Sequence, residues 1–275
     1  KFDLQRCEGY RNFCNKLWNA ARFVLMNCEE QDNGFEKCKD GYLDFSQADR
    51  WIVSELQITL DKIHKAYQEY RFDLLSQEIY QFIWDQYCDW YLELAKIQIQ
   101  KGTKAQQRAT RRTLIASLEA ILRVSHPLIP FITEEIWQTV APLAKINAQS
   151  IMLRDYPTAQ LNKIDKDAIN WMAPLKLMVE SCRSLRGEMN ISPAQKIPLV
   201  VEGDEKIFNT YKNYIKGLAK LSEVELVKNI PDQDAPVAIV DNFKLMLNIE
   251  VDKEAELLRI TKEIKQIDIQ IKKAQ

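Results

Sequence analysis

The sequence predicts a mainly α-helical protein: a helical bundle, then a small α+β domain, then a truncated coiled-coil helix. Three observations support this. Only 7 of the 275 residues are glycine and 9 are proline, so the chain is poor in residues that β-sandwiches and phosphate-binding loops need for turns and close backbone approach. The first half repeats apolar residues at helical spacing. Near the end, apolar residues alternate three and four positions apart, as in a coiled coil.

Residues 1–156 are predicted to form the bundle. An apolar stripe through residues 10–24 indicates the first helix, and three further long amphipathic helices follow it. Turn, capping and helix-breaking signals separate these elements, at Asn33-Gly34, Asp40-Gly41, Ser46–Asp49, Gly102-Thr103 and His126-Pro127. A short helix begins at Thr133. Long amphipathic helices joined by modest loops are typical of a bundle.

Residues 157–250 are predicted to form a small α+β domain, joined to the bundle by an extended segment at Ile151–Leu153. Helices are expected at 166–189 and 207–221, and short β-rich runs at 197–201, 224–227, 237–240 and 243–249. Residues 251–275 are predicted to begin a coiled-coil arm, whose seam is Leu257, Ile260, Ile264, Ile267 and Ile271. About three heptads are marginal alone, so a partner helix is expected in a longer chain or another molecule.

Composition and charge exclude several classes of protein. Lys+Arg 38 against Asp+Glu 39, with 46% hydrophobic residues, excludes intrinsic disorder. Charged residues interrupt every apolar run, so no membrane span or membrane partner is predicted. Six scattered cysteines without a Cys-x-x-Cys pair indicate reduced thiols in the cytoplasm. With two distant histidines and no glycine-rich loop, the chain offers no metal site, cofactor site or catalytic set.

The first helix carries a polar face distinct from its apolar stripe. One line of side chains along it consists of Gln5, Glu8, Asn12, Lys16, Asn19 and Phe23, and a neighbouring line of Arg11, Asn15, Trp18 and Arg22. Amides donate and accept hydrogen bonds, lysine supplies charge and an exposed aromatic ring offers a stacking plane. These groups read unstacked bases of RNA loops. The alternative is a solvated helix face or bonds to neighbouring helices.

A second candidate surface is electrostatic. No acidic residue occurs between Glu93 and Glu119, while this segment contains Lys96, Lys101, Lys104, Arg108, Arg111 and Arg112. Such a basic segment suits phosphate contacts, which are salt-dependent and blind to sequence. The alternative is a solubilising loop and helix start.

Several segments resemble the anticodon-binding bundle of class I aminoacyl-tRNA synthetases. His126–Trp137 resembles a motif shared by the synthetases for valine, isoleucine, leucine and methionine. Narrower matches point to bacterial valyl-tRNA synthetases: residues 10–25 are similar to their first bundle helix, Trp84–Leu92 to their third, and Arg186–Pro198 to the segment after the bundle. The heptads from Leu257 resemble the start of their C-terminal coiled-coil arm.

This resemblance implies the tRNA-holding C-terminal part of a valine–tRNA ligase, whose partner is valine tRNA and not DNA, acting as a monomer. The family's catalytic domain uses ATP and Mg and carries His-x-Gly-His and Lys-Met-Ser-Lys-Ser type motifs. Neither motif occurs here, so the chain is expected to need no cofactor and to be inert alone.

The resemblance also ranks the candidate contacts on the first helix. Lys16, as donor or phosphate partner, and Phe23, as stacking plane, are the first choices for base contact. The polar side chains expected to meet base edges are Gln5, Asn12, Asn15 and Asn19. Arg11 and Arg22 serve phosphates or brace the bundle. Further along, Gly187 falls in a helical stretch where alanine is better by about 1 kcal/mol, so the helix is expected to end near it.

Two alternatives remain open from the sequence. A helical interaction protein pairing through residues 252–275 would form dimers and have no affinity for tRNA. The equivalent bundle of an isoleucyl-tRNA synthetase would often be followed by a cysteine-rich zinc module, whereas here the last cysteine is Cys182.

Overall fold

The computed structural model describes residues 3–35, 42–192, 194–231 and 235–248, and four single positions, 261, 264, 267 and 271. The chain divides into two compact units, Lys1–Leu177 and Met178–Gln275, and each is described by itself. Most of the predicted coiled-coil arm lies outside the described residues. The predicted domain limits at 156 and 250 stay predictions.

The first unit is the predicted helical bundle. Its helices are α1 (Leu4–Cys28), α2 (Gln47–Gln68), α3 (Phe72–Gln81), a π-helix (Phe82–Tyr91), α4 (Leu92–Lys101), α5 (Lys104–Ser125) and α6 (Pro130–Leu143). Helix α7 (Lys166–Glu188) begins in this unit and ends in the second. The prediction of an extended segment at Ile151–Leu153 is wrong, because these residues form a 3-10 turn. Ser150 Oγ accepts a hydrogen bond from the Met152 amide at 3.2 Å and caps this turn.

Capping boxes fix where two of these helices begin. At α2 the Asp49 amide donates to Ser46 Oγ at 3.1 Å and the Ser46 amide donates to Asp49 Oδ2 at 3.0 Å, which confirms the predicted box. Helix α5 begins with a second box, in which Thr103 and Gln106 exchange the equivalent bonds. Each box satisfies helix N–H groups that would otherwise lack partners.

Two buried carboxylates tie the bundle helices together. Asp49 on α2 is 1% exposed, and its oxygens accept bonds from Tyr91 Oη at 2.6 Å and Thr110 Oγ1 at 3.3 Å. Burial raises the pKa of Asp49, against the opposing effect of these bonds. Glu119 on α5 accepts from Trp137 Nε1 at 3.0 Å and pairs with a guanidinium on its own helix. Side chains of four helical segments therefore meet at Asp49 and Glu119.

The π-helix joins α3 and α4 into one continuous helical rod, with backbone bonds from residue i to i+5 over its length. Its wider turn divides the aromatic side chains between two sides. Tyr87 and Tyr91 are fully buried, and the Tyr87 hydroxyl donates to the Leu114 carbonyl at 3.1 Å. Trp84 is half-buried and Asp89 is exposed. The π-helix thus contributes both to the core and to a surface beside α1.

The second unit contains the predicted small mixed sheet with its helix. The strands are β1 (Ile197–Glu202), β2 (Leu221–Val227), β3 (Val237–Val240) and β4 (Phe243–Leu247), and α8 (Glu205–Leu218) connects β1 to β2. The strand order is β2-β1-β4-β3, with β1 and β2 parallel and the other pairs antiparallel. Asp241, at a φ of 49°, makes the predicted hairpin turn before β4. Helix α8 packs on the sheet through Phe208, whose ring centroid lies 5.9 Å from that of Phe243.

The bend between α2 and α3 offers a direct test of one local ion pair. Arg71 donates to both carboxylate oxygens of Asp73, at 2.9 and 2.6 Å, and these bonds lower the pKa of Asp73 to about 2. Arg71→Gln is expected to raise the pKa of Asp73 toward its ordinary value of 3.8. A carboxyl titration by NMR measures the shift, with Lys65→Gln as the control that leaves it unchanged. If the pKa of Asp73 stayed near about 2 in Arg71→Gln, the bonds from Arg71 would not be the cause of the lowered pKa.

Candidate nucleic-acid interface

The structure exposes the predicted polar face of α1. Leu17, Ala20 and Val24 point into the bundle core, because apolar residues three or four apart share one side of a helix. The exposed side chains on the rest of the helix include Arg11, Asn12, Asn15, Asn19 and Arg22. Gln5 lies in the first turn of α1, and only its backbone is described. The three asparagines leave their amide groups open to a polar partner.

Lys16 is held between two groups of the π-helix. Its Nζ lies 2.6 Å from Asp89 Oδ1 and 3.7 Å from the centroid of the Trp84 ring. The Lys16 side chain is 24% exposed and that of Asp89 is 52% exposed. A lysine over an indole face is attracted by the negative electrostatic potential of the ring. The ammonium group is therefore oriented at the surface before any ligand arrives.

Trp84 belongs to a stack of three aromatic rings that sequence analysis did not identify. The Trp84 and Tyr80 ring centroids are 5.4 Å apart with planes 9° from parallel, and Tyr80 and Phe13 are 5.1 Å apart at 24°. Tyr80 is 38% exposed. Tyr80 lies between the other two rings and Lys16 lies over Trp84, so the stack holds Lys16 and α1 against the rod and reaches the surface at the edge of Tyr80.

A groove of about 700 Å³ lies beside this stack. Its lining includes Tyr10, Phe13 and Tyr80, and also the hydroxyl-bearing Ser125 at the end of α5. Ser125 is fully buried, and its Oγ has no hydrogen-bond partner among the described residues. The walls of the groove are therefore mainly apolar and aromatic, and Ser125 Oγ is buried rather than open to the groove.

Phe23 lies further along α1 and is half-buried. The Lys96 ammonium lies 5.4 Å from the centroid of its ring, and Lys96 also pairs with Glu93 at 2.5 Å. The Phe23 ring is therefore a partly open plane with a cation close by. Lys16 and Phe23 both lie beside the long rod that contains α4 and the π-helix. Lys16 contacts Trp84 and Asp89 of the π-helix, and Phe23 contacts Lys96 of α4.

The basic segment divides into two kinds of side chain. Lys101 and Lys104 are exposed. The arginines instead hold the loop after α1: Arg108 pairs with Asp32 at 2.6 Å and donates to the Tyr42 carbonyl at 3.0 Å, Arg111 donates to the Asn27 carbonyl at 2.9 Å, and Arg112 donates to the Gly34 carbonyl. These bonds favour a bracing role for the three arginines. Phosphate contact by the segment stays a prediction, best placed on the two lysines.

Comparison with known proteins identifies the bundle. Residues 49–201 match the family described as the anticodon-binding domain of tRNA ligase. The chain belongs to this family. It is 52% identical to the valine–tRNA ligase of Dechloromonas aromatica, covering 100% of this chain and 30% of that protein. It is 50% identical to that of Laribacter hongkongensis (99% and 29%) and 44% identical to that of Legionella pneumophila (95% and 29%).

The chain spans about 30% of the length of these curated relatives. The predicted resemblance to the C-terminal part of bacterial valyl-tRNA synthetases is confirmed. An anticodon-binding domain binds tRNA. Helix α1 precedes the matched residues 49–201, but the alignment with the first of these relatives includes it.

The polar and thiol groups inside this anticodon-binding chain have structural roles. His64 Nε2 lies 2.9 Å from the Pro157 carbonyl, and His126 Nδ1 lies 2.8 Å from Thr133 Oγ1. Burial raises the pKa of Cys28, Cys88 and Cys182 to about 12, which keeps these thiols protonated and unreactive. Within the described part of the chain, no three histidine, cysteine or carboxylate side chains cluster as metal ligands, and no helix is long and apolar enough to cross a bilayer.

Proposed function

We propose that this chain reads the anticodon arm of valine tRNA as part of a cytoplasmic valine–tRNA ligase. The relatives named above are valine–tRNA ligases, and the similarity to the first of them covers the whole chain. Attachment of valine, with ATP and Mg, is the work of the ligase's catalytic domain, whose characteristic motifs this sequence lacks. Acting alone, the chain binds tRNA as a monomer and catalyses no aminoacylation.

The observation that carries the proposal is the exposed amide face of α1 beside the oriented Lys16 ammonium. Asn12, Asn15 and Asn19 can each donate and accept, as base edges in an unpaired loop require. Lys16 supplies a positive donor to a base oxygen or phosphate, and Phe23 supplies a stacking plane. Arg11 and Arg22 are exposed toward the flank of this face, where phosphate contacts would position the loop.

Titration with labelled valine tRNA at low salt tests the proposal. The comparison is with the same tRNA carrying changed middle and third anticodon bases. Tighter binding of the unaltered tRNA is expected, because its bases alone match the amide face. Equal, salt-sensitive binding of both RNAs would reduce the chain to a basic cradle, and binding of neither would contradict an anticodon contact by this chain alone.

The two exposed lysines of the basic segment have a separate expected effect. Lys101→Gln with Lys104→Gln is expected to weaken binding of all tRNAs alike and to flatten the dependence of log K on log salt by about 0.7–0.9 for each phosphate that the variant no longer neutralises. Filter binding at several salt concentrations measures this slope. Arg108→Gln is the contrasting variant: because Arg108 braces the loop at Asp32, it lowers thermal stability. Unchanged slopes in the lysine variant would remove this segment from the interface.

A further inference from the structure

Arg186 at the end of α7 is a buried cation without a counter-ion among the described residues. It is 7% exposed. Its guanidinium donates to the carbonyls of Ser192 at 2.8 Å, Gln195 at 2.5 Å and Ala219 at 3.4 Å. None of the ion pairs in the described ranges of the chain includes Arg186. Carbonyl dipoles satisfy hydrogen bonds but do not supply the full negative charge that a desolvated guanidinium favours.

A cavity of about 400 Å³ opens beside this guanidinium, inside the second unit. Two further cationic side chains line it: Arg183, one turn earlier on α7, and Lys220, just after α8. Both are exposed. Arg183, Arg186 and Gly187 share one side of α7, because residues three and four apart on a helix are neighbours. Of the residues that the structure describes, no carboxylate lines the cavity, whereas three of its lining side chains are cationic.

Gly187 leaves room in this cavity. It lies inside α7, where glycine is less favourable than alanine. A Cβ added there would meet no atom of the described part of the chain within 4 Å, so packing does not require the missing side chain. Gly187 itself lines the cavity. A glycine that the fold does not need is explained if another molecule approaches the α7 backbone at this point.

We propose that this cavity binds a phosphate group, and that the group is a backbone phosphate of the tRNA held by this chain. Arg186 is fixed in place by its three carbonyls, which take both hydrogens of Nη2, so it contributes mainly its positive charge to the site. Arg183 and Lys220 line the rim, where their side chains can donate hydrogen bonds to phosphate oxygens. The contact is independent of RNA sequence. The RNA assignment rests on the proposed function, whereas the anion site rests on the cavity alone.

The anion site is tested with inorganic phosphate on the full chain. Phosphate, compared with chloride at equal ionic strength, is expected to raise the melting temperature and to shift the arginine side-chain NMR signals of the wild type. Gly187→Glu places a carboxylate in the cavity and should abolish both effects. Asn213→Glu, an exposed position of α8 with the same charge change, should retain them. Because Glu is a better helix former than Gly, loss of fold is not expected, and Arg183→Gln is a second variant that weakens binding.

The RNA assignment is tested by the salt dependence of tRNA binding in the same variants. Gly187→Glu is expected to weaken binding several-fold and to reduce the slope by about 0.7–0.9, the value for one phosphate, while Asn213→Glu matches the wild type. Phosphate binding that survives Gly187→Glu would overturn the anion site. If the wild type binds phosphate but Gly187→Glu leaves the salt slope of tRNA binding unchanged, the ligand of the cavity is a small free anion and the RNA assignment is overturned. Failure of the wild type to bind any tRNA would overturn the proposed function, yet leave the phosphate result to decide the cavity.

Discussion

Replacing Asp49 with alanine is expected to lower the free energy of unfolding by about 2–4 kcal/mol, from one unsatisfied buried hydroxyl and a lost helix cap. Asp49 accepts hydrogen bonds from the Ser46 amide and hydroxyl, the Tyr91 hydroxyl and Thr110 Oγ1. Tyr91 and Thr110 are fully buried. Alanine leaves the Tyr91 hydroxyl without this acceptor in the core, whereas Thr110 Oγ1 keeps Gln98 Oε1 at 2.8 Å. It also removes half of the capping box of α2. Urea unfolding followed by circular dichroism measures the change.

Ser46→Ala is the matched control, because it removes the capping hydroxyl, which also accepts from Gln98 Nε2, and leaves the carboxylate. Its expected cost is about 1 kcal/mol. If the two variants lost similar amounts of stability, the bonds from Tyr91 and Thr110 would contribute little, and Asp49 would act only as a cap.

The difference between wild type and Asp49→Ala is also expected to depend on pH. Burial raises the pKa of Asp49 above its ordinary value of 3.8, so folding favours the protonated carboxyl. The stability that protonation contributes is fully present below the unfolded pKa and is lost as the pH rises through the folded one. The destabilisation by alanine is therefore largest in acid and shrinks toward neutral pH. A difference that grew with pH would mean that the bonds to the carboxylate outweigh its burial.

Lys16→Ala combined with Phe23→Ala is expected to reduce the preference for the valine anticodon over an altered one by about 10- to 100-fold, since each stacked or paired base is worth about 1–3 kcal/mol. Binding of altered tRNA should change much less, because its phosphate contacts remain. The measurement is a pair of titrations, with unaltered and anticodon-changed tRNA, for variant and wild type.

The double lysine variant at Lys101 and Lys104 provides the contrast to this result, because it should lower both affinities together. Circular dichroism of the Lys16→Ala, Phe23→Ala variant is expected to show an intact bundle. The Lys16–Asp89 pair is partly exposed, and such pairs contribute at most about 1 kcal/mol. If Lys16→Ala with Phe23→Ala weakened all tRNAs equally, base reading would have to be assigned to another face.

The helices could be predicted because their signals are local. The apolar stripe of α1 consists of Leu17, Ala20 and Val24, which lie within two helical turns. The capping box of α2 consists of Ser46 and Asp49, three positions apart. The structure contains both. The amide face of α1 followed from the same periodicity, because a residue that is not on the buried stripe is on the surface.

The contacts between distant segments could not be predicted in this way. The stack pairs Phe13 with Tyr80, far apart in sequence, and only the packing of α1 against the rod brings these rings together. The wider turn of the π-helix could not be predicted either, because the apolar pattern of a sequence is read at the 3.6-residue period of an α-helix. Similarly, the number of basic residues between Glu93 and Glu119 predicted phosphate contacts. In the structure Arg108 instead pairs with Asp32, which lies in the loop after α1. Charge was predictable from sequence, but its partners were not.

Lys16 already has a partner, and this determines how much a new ligand can gain there. An ammonium group 2.6 Å from Asp89 Oδ1 can donate to an RNA oxygen only if its pair with Asp89 is loosened or shared. The gain is then the difference between two similar attractions, so this lysine adds little net affinity for an arbitrary phosphate. A base that also contacts the neighbouring rings and amides is expected to gain enough to offset the loss of the Asp89 pair. For a base that fits poorly, the lysine is expected to pair with Asp89 again. With the proposed base contact at Lys16, the Asp89 carboxylate competes with the RNA for the ammonium group, and we expect this to favour rapid release of wrong tRNAs over tight capture of all of them.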